Sequence, residues 1–182
     1  MGDGRWRLGR ADGVPAVERT DLLADPVATA LRSWDRAGEA GVIEIDPALA
    51  DTATLSEAYD LPMEAGGNCV VVMGRRDGEE RFAACVVRAD TRADVNNLVK
   101  RRLDVRKCSF LAVDRATAES GMEHGGITPL GLPAAWRVLV DAALLEQPLV
   151  VLGSGVRRSK LLLPGPVLAE LPGAEVVEGL GV

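Results

Sequence analysis

The chain is organised around one loop, Glu119-Ser-Gly-Met-Glu-His-Gly-Gly-Ile-Thr-Pro-Leu-Gly-Leu-Pro133. This loop holds four glycines and two prolines in fifteen residues. Glycine allows positive φ angles and close backbone approach, whereas proline fixes φ and lacks an N–H donor. We therefore predict neither a helix nor a central strand here, but a stiff loop that offers bare backbone amides to a ligand. An ordinary surface loop is the alternative interpretation.

Apolar runs on both sides of the loop predict a sheet, and helical spacing of apolar residues between them predicts helices. The predicted strands are 42–45, 69–73, 81–88, 108–113, 136–140, 149–152, 160–163 and 175–177. The predicted helices begin at Asp25-Pro26 and at about 52, 91 and 167, and Asp114–Ser120 is either a short helix or a turn. This order favours a mixed α/β fold, in which helices pack outside a curved, mixed, largely antiparallel sheet.

Length and composition indicate one compact domain. The chain has 182 residues, of which 47% are hydrophobic and 26% charged, as is typical of soluble globular proteins. Residues 1–20 show no apolar period and predict a flexible N-terminal arm, which leaves 21–182 as the single domain. With neither a membrane-spanning run nor a signal peptide, we expect a cytoplasmic protein without membrane contact, either a monomer or a homodimer.

The three cysteines, Cys69, Cys85 and Cys108, all lie in or beside strand-like runs. We interpret them as reduced thiols that pack as small hydrophobic side chains. No Cys/His spacing suits zinc, so we expect neither a metal nor another cofactor. The single histidine, His124, lies inside the central loop and is either structural or in contact with a ligand.

Two basic clusters stand out against a net charge of −6. The first basic cluster comprises Lys100, Arg101, Arg102, Arg106 and Lys107, and the second comprises Arg157, Arg158 and Lys160. Solvated surfaces produce such clusters, but two clusters on one side of a fold could also grip phosphates. The stretch 153–160 lacks the Gly-Lys-Ser/Thr spacing of a phosphate loop and precedes an apolar run, so we predict a hairpin turn there.

These features together resemble the YbaK/ProX-type aminoacyl-tRNA deacylase family, whose members are related to the editing domain inserted in bacterial prolyl-tRNA synthetases. The resemblance covers about residues 25–180, and its most specific part is Gly125-Gly-Ile-Thr-Pro129-Leu-Gly131, which matches the G-x-x-x-P loop of the family. It implies hydrolysis of the ester between a mischarged amino acid and the 3′-terminal adenosine of a tRNA. The implied partners are the aminoacylated tRNA end and an aminoacyl-tRNA synthetase.

The resemblance also implies roles for individual residues. Backbone amides of Gly125 and Gly126 would stabilise the oxyanion, and a ribose hydroxyl of the substrate would help to position the attacking water. Asn68 would orient the ester or the water, and Asp141 would hold the polar end of the ligand or the loop. The expected substrate contacts are His124, Thr128, Pro129, Ser154 and Gly155, and both basic clusters would hold the acceptor stem.

Asn68 departs from the family pattern, because a gapless comparison places it where the family usually carries a lysine. An asparagine side chain donates hydrogen bonds but supplies no charge. Asn68 is therefore either an adapted site residue or a simple turn residue before a strand. The alternative functions are a non-catalytic module that binds a tRNA end or a nucleotide, and a hydrolase of other activated esters.

Overall fold

The computed structural model describes residues 4–182. Its strands are β1 Arg7–Leu8, β2 Ala11–Asp12, β3 Val14–Pro15, β4 Gly41–Glu44, β5 Gly67–Arg76, β6 Glu79–Arg88, β7 Cys108–Phe110, β8 Trp136–Asp141, β9 Val150–Gly153, β10 Ser159–Leu163 and β11 Ala174–Val177. Its α-helices are α1 Asp25–Ser33, α2 Thr52–Tyr59, α3 Lys100–Arg102 and α4 Val113–Ser120. A π-helical turn, Val95–Val99, runs into α3, and 3₁₀ helices lie at Ala16–Glu18, Thr20–Leu22, Ala37–Glu39, Pro47–Leu49, Met63–Ala65, Ala142–Glu146 and Gly165–Glu170.

The strands divide between two larger sheets instead of one. A five-stranded sheet has the order β11-β8-β6-β5-β7, and a four-stranded sheet has the order β3-β4-β10-β9. Strand β8 pairs in parallel with both β6 and β11, whereas the remaining pairs are antiparallel. The predicted mixed, largely antiparallel α/β fold is thereby confirmed. The two sheets touch at a parallel bridge between Gly66 and Val151.

The hairpin of β5 and β6 is the longest paired unit and runs from Gly67 opposite Arg88 to Arg76 opposite Glu79. Its turn residues, Asp77 and Gly78, both have positive φ, which is the backbone that a two-residue hairpin requires. The predicted strands 69–73 and 81–88 both lie in this hairpin, in a longer form. Cys69 lies opposite Val86 and Cys85 opposite Val70, so the two cysteines are offset by one residue and point to opposite faces of the sheet.

Helix α2 lies as predicted, because Asp51 caps it. The Asp51 carboxylate accepts a hydrogen bond from the backbone N–H of Ala53 at 3.0 Å, and the chain leaves the helix at Asp60 with φ +55°. Other predicted elements differ in extent. The third helix begins only at Val95, because Asp94 accepts hydrogen bonds from the amides of Asn97 and Leu98 and sets its start.

Two further elements differ from the prediction in length or type. The strand predicted over 108–113 ends at Phe110, because α4 already begins at Val113. The last predicted helix is a 3₁₀ helix, Gly165–Glu170. None of the helices within residues 4–182 combines the length and apolar character that a bilayer crossing requires.

Residues 4–20 do not form the predicted flexible N-terminal arm, because they pack against the domain. Residues 1–3 lie outside the described residues. Trp6 is only 5% exposed, and its indole N–H donates to the carbonyl of Glu39 at 2.8 Å. Strand β1 pairs with β2, and β3 joins the edge of the four-stranded sheet. This segment shows no apolar period because its buried hydrophobic side chains are Trp6, Ala11 and Ala16, of which only Trp6 is large.

Strand β10 alternates its side chains between two cores. Leu161 and Leu163 point into the main core with Leu31 and Leu152, whereas Leu162 belongs to a second core with Trp6 and Leu55. Side chains two positions apart in a strand share one face. Lys160 therefore shares its face with Leu162, on the side where α2 lies.

Candidate functional site

A cavity of about 570 Å³ opens where the two sheets meet at the bridge between Gly66 and Val151. Its walls come from the start of α2, the start of β5, strands β9 and β10, and the central loop. The polar or charged side chains among its lining residues are Asp51, Thr52, Ser56, Asn68, His124, Arg157 and Lys160. The structure thus brings Asn68, His124 and Gly125 together at one cavity.

Small residues keep the floor of the cavity open. A Cβ atom at Gly67 would lie 2.5 Å from Cδ2 of Leu152, and a Cβ atom at Gly66 would lie 2.9 Å from the Cβ atom of Ala89. A side chain at position 66 or 67 would displace these neighbours, and with glycine there the backbone itself forms part of the wall. Beside them, Asn68 accepts a hydrogen bond from the Thr52 hydroxyl through Oδ1 at 2.8 Å. The Asn68 amide nitrogen remains as a donor.

The central loop is held by the turn after β9. The amide of Gly155 donates to the carbonyl of Gly126 at 2.7 Å, and the amide of Glu123 donates to the carbonyl of Gly155 at 2.8 Å. A Cβ atom at Gly126 would meet the backbone of Val156 at 2.8 Å. Gly126 is therefore needed for close packing between two loops.

The two glycines of the predicted oxyanion site differ in their amides. The Gly126 amide donates to the carbonyl of Glu123 at 2.9 Å, is buried and does not line the cavity. Contrary to the prediction, it is therefore not available to an oxyanion in this cavity. Gly125 lines the cavity, is exposed and has φ +81°. Within residues 4–182 its amide has no acceptor.

Arg157 ties the mouth of the cavity together. Its guanidinium donates to the carbonyls of His124 at 3.2 Å and Pro47 at 3.1 Å, and its backbone amide donates to the Glu123 carboxylate at 2.6 Å. The guanidinium therefore links the central loop to the segment that precedes α2. Its positive charge lies at the cavity entrance.

Lys160 enters the cavity from β10, although its place in the second basic cluster predicts a position at the tRNA-binding surface. The residue is 6% exposed, and Nζ donates to the carbonyl of Ala50 at 2.8 Å and to that of Gly125 at 3.4 Å. Among the described residues, no carboxylate oxygen lies within 4.0 Å of Nζ. The alternation of β10 was the signal that could have placed it, because its neighbour on the same face is the buried Leu162.

Burial, with a smaller contribution from the charge of Arg157, lowers the pKa of Lys160 to about 8, and Asp51 opposes the shift. The pKa lies below the ordinary value of 10.5, so folding disfavours the charged form. This cost to stability is present below about pH 8 and fades as the pH rises toward 10.5. A lysine that is buried in a cavity without a carboxylate partner is therefore a candidate functional residue.

Besides Gly126, five of the predicted catalytic and substrate-contacting residues do not line the cavity, namely Thr128, Pro129, Asp141, Ser154 and Gly155. Asp141 is 3% exposed and accepts hydrogen bonds from the amides of Ala143 and Gly181, so it caps the 3₁₀ helix that follows β8. Ser154 is fully buried, and its hydroxyl lies 2.7 Å from that of Ser159. The polar groups of Asp141 and Ser154 are therefore engaged inside the protein.

The first basic cluster lies far from the cavity. Lys107 precedes β7, whose Cys108 pairs with Gly74 of β5, whereas the cavity lies at Asn68, about 20 Å away along that strand. Arg101, Arg106 and Lys107 are exposed, and Arg102 pairs with Glu175 at 3.4 Å. In the second basic cluster, Arg158 is exposed and donates to the carbonyl of Asp21.

The thiol that lines the cavity belongs to Cys69. Burial raises the pKa of Cys69 far above its ordinary value, with a smaller contribution from Cys85, so this side chain stays a neutral thiol. Within residues 4–182, no group of three His, Cys, Asp or Glu side chains is placed to hold a metal ion. The site therefore offers cations and hydrogen-bond donors but no activated side-chain nucleophile.

Comparison with known proteins gives matches both to a family and to solved structures. The model of the aminoacyl-tRNA editing domain family matches residues 46–171. A crystal structure of a proposed trans-editing enzyme for prolyl-tRNA synthetase superposes with a TM-score of 0.72 at 20% identity, covering 85% of this chain and 94% of that one. The hypothetical protein APE2540 superposes with a TM-score of 0.75 at 19% identity, covering 87% and 100%. No curated protein matches the sequence at a significant level.

Proposed function

Because this chain belongs to the aminoacyl-tRNA editing domain family, we propose that it is a trans-acting deacylase that hydrolyses the ester of a mischarged aminoacyl-tRNA. The observation that carries the proposal is the cavity at the junction of the two sheets, which combines a buried cation, an unpaired loop amide and small-residue walls. Its volume suits an amino acid together with part of the terminal adenosine.

The reaction asks for charge stabilisation more than for a reactive side chain. Water attacks the ester carbonyl carbon, and the carbonyl electron pair moves onto oxygen. The resulting oxyanion then re-forms the carbonyl and breaks the bond to the ribose oxygen, which takes up a proton from the attacking water. Donors fixed before the reaction stabilise the oxyanion without having to reorganise. The Gly125 amide is such a donor at the edge of the cavity.

The other cavity residues then have distinct roles. The Asn68 amide nitrogen orients the ester or the water, while Thr52 holds its oxygen. His124 and Arg157 lie at the entrance and contact the 3′-terminal nucleotide. Arg158 and the first basic cluster hold the acceptor stem, which is long enough to span the distance along β5.

The proposed function is tested with the purified full chain and a panel of mischarged tRNAs that includes Ala-, Cys- and Ser-tRNA species. We expect at least one ester to be lost faster than its spontaneous rate, with a rate proportional to protein concentration. Correctly matched aminoacyl-tRNAs provide the control. If every ester in the panel survives at its spontaneous rate, the protein is not a deacylase of these substrates.

A non-catalytic binding module is the second candidate, and the amide at position 68 favours it. This function predicts salt-sensitive binding of uncharged tRNA without loss of any ester. The slope of affinity against salt concentration gives the number of phosphates that are contacted. The hydrolysis panel and the binding titration therefore separate the two candidates.

Replacing Asn68 with lysine is expected to lower deacylation about tenfold, which corresponds to about 1.4 kcal/mol. Lysine has no acceptor for the Thr52 hydroxyl and would add a positive charge to a cavity that already contains Lys160 and Arg157. Single-turnover hydrolysis measures the effect, with Asn96→Lys as the control because Asn96 is exposed on the π-helical turn. An increase in rate after Asn68→Lys would indicate instead that the site has lost a lysine that it needs.

A further inference from the structure

We propose that the Lys160 ammonium binds the carbonyl oxygen of the substrate ester and stabilises the oxyanion that forms there. This inference rests on the proposed function and adds a catalytic residue to it. Its starting point is the location of Lys160, which occupies an inward-facing position of β10 between the buried residues Ser159 and Leu161. A lysine is rarely buried at such a position unless it is paired.

The hydrogen bonds of the ammonium leave one direction open. An ammonium group has three N–H donors. One donates to the carbonyl of Ala50 at 2.8 Å, and a second, longer contact of 3.4 Å reaches the carbonyl of Gly125. Lys160 itself lines the cavity, so the remaining donor is available to a ligand there. The carbonyls fix the position of the charge without neutralising it.

Burial without a neutralising partner distinguishes Lys160 from several arginines on the surface of the domain. Arg75, Arg88 and Arg115, for example, each form an ion pair with a carboxylate. Near Lys160, the closest charged influences are Arg157 and Asp51, and the carboxylate of Asp51 already caps α2. A buried, uncompensated cation gains most from a group that becomes negative only during reaction.

Depth in the cavity indicates which part of the substrate meets the ammonium. The aminoacyl ester is the last group of a charged tRNA, so it goes deepest, whereas the phosphodiester of the terminal nucleotide stays nearer to solvent. Lys160 is 6% exposed, whereas Arg157 at the entrance is only half-buried. Lys160 therefore meets the ester, and Arg157 meets the phosphate side.

The ammonium acts without giving up a proton. It donates a hydrogen bond to the carbonyl oxygen as the attacking water forms its bond to carbon and the carbonyl electron pair moves to oxygen. The same hydrogen bond weakens when the carbonyl re-forms and the bond to the ribose oxygen breaks. The proton that the ribose oxygen receives comes from the attacking water, so Lys160 begins and ends the cycle as an ammonium.

The test is the Lys160→Met variant of the full chain, assayed on the tRNA that the wild type deacylates best. Methionine keeps a similar length and suits a buried strand position. We expect kcat to fall about a hundredfold, with KM within about twofold of the wild type. The melting temperature is expected to equal or exceed that of the wild type, because a buried charge is removed. Arg32→Met, which removes an exposed charge from α1, is the matched control.

A second measurement is the pH profile of kcat after subtraction of spontaneous hydrolysis, recorded for the wild type and for Lys160→Met. The profile is expected to fall as the pH rises through about 8, where burial places the pKa of Lys160, and the fall is expected to be missing in Lys160→Met. The other titratable groups that line the cavity are Asp51, Cys69, His124 and Arg157. A rise through the same pH range would mean that the neutral amine acts as a base, which would overturn the proposal.

Two further outcomes also decide the matter. If Lys160→Met keeps the wild-type kcat, or changes only KM, the ammonium does not stabilise the oxyanion and the proposal is wrong, although the protein remains a deacylase. If the wild type itself leaves every ester intact, the proposed function fails before this variant is informative about it. The two failures are therefore distinguishable.

Discussion

The Gly153→Ala variant is expected to lose deacylation by about a hundredfold or more and to melt several degrees below the wild type. A Cβ atom at position 153 would lie 2.4 Å from the carbonyl oxygen of Gly126 and 2.7 Å from that of Ile127. Both contacts are backbone atoms, which cannot rotate away, so the central loop must move. Such overpacking costs about 1–3 kcal/mol, and a displacement of about 1 Å at a reacting site costs about a hundredfold in rate.

Single-turnover hydrolysis and thermal unfolding measure the two effects of Gly153→Ala separately. The matched control is Gly38→Ala, because a Cβ atom at Gly38 would meet no other atom within 4 Å. We expect this control to hydrolyse and melt like the wild type. If Gly153→Ala behaves in the same way, the contact between the turn after β9 and the central loop does not set the geometry of the cavity.

The Trp6→Ala variant is expected to lose about 3–5 kcal/mol of unfolding free energy, which lowers the melting temperature by about 10 °C. The indole ring packs so closely on β4 that a Cβ atom at Gly41 would lie 2.3 Å from its Cγ atom. The ring also belongs to the core that contains Leu55 of α2 and Leu162 of β10. Removing it therefore leaves a void beside the helix that forms one wall of the cavity.

Chemical denaturation followed by circular dichroism measures the loss in Trp6→Ala. The control from the same segment is Val17→Ala, because Val17 is 46% exposed and should change stability by less than about 0.5 kcal/mol. A loss below about 1 kcal/mol for Trp6→Ala would support the flexible arm that the sequence predicts and would contradict the packing described for residues 5–16.

Local patterns in the sequence predicted much of the fold. The Asp51 cap and the spacing of Leu55 and Tyr59 fixed α2, and continuous β-branched residues together with the Asp77-Gly78 turn fixed the long hairpin. These elements are determined by neighbours in the chain. The arm was missed because Trp6 packs against Gly41, and neither residue reveals the other locally. The division into two sheets was missed for the same reason, since it depends on which distant strands pair.

The site was predicted less completely than the fold. Sequence reasoning brought Asn68, His124 and Gly125 together, because the resemblance identified the loop and the start of β5. It assigned Asp141 to the polar end of the ligand or to the loop and Lys160 to the tRNA surface, and the structure places the first at a helix cap and the second inside the cavity. Both errors have one cause: a charged residue at the end or the start of a strand looks the same in sequence whether it faces inward or outward.

The pairing of β4 has a consequence for how the chain acquires its shape during synthesis. This strand lies between β3, which precedes it, and β10, which ends at Leu163. At ribosomal rates, the residues between β4 and β10 take roughly ten seconds to appear, and throughout that time the apolar Val42 and Ile43 lack their main strand partner. The hairpin of β5 and β6 has no such wait, because both of its strands emerge together. Assembly of the cavity is therefore a late event, since the strand that carries Lys160 is also the one that closes the second sheet.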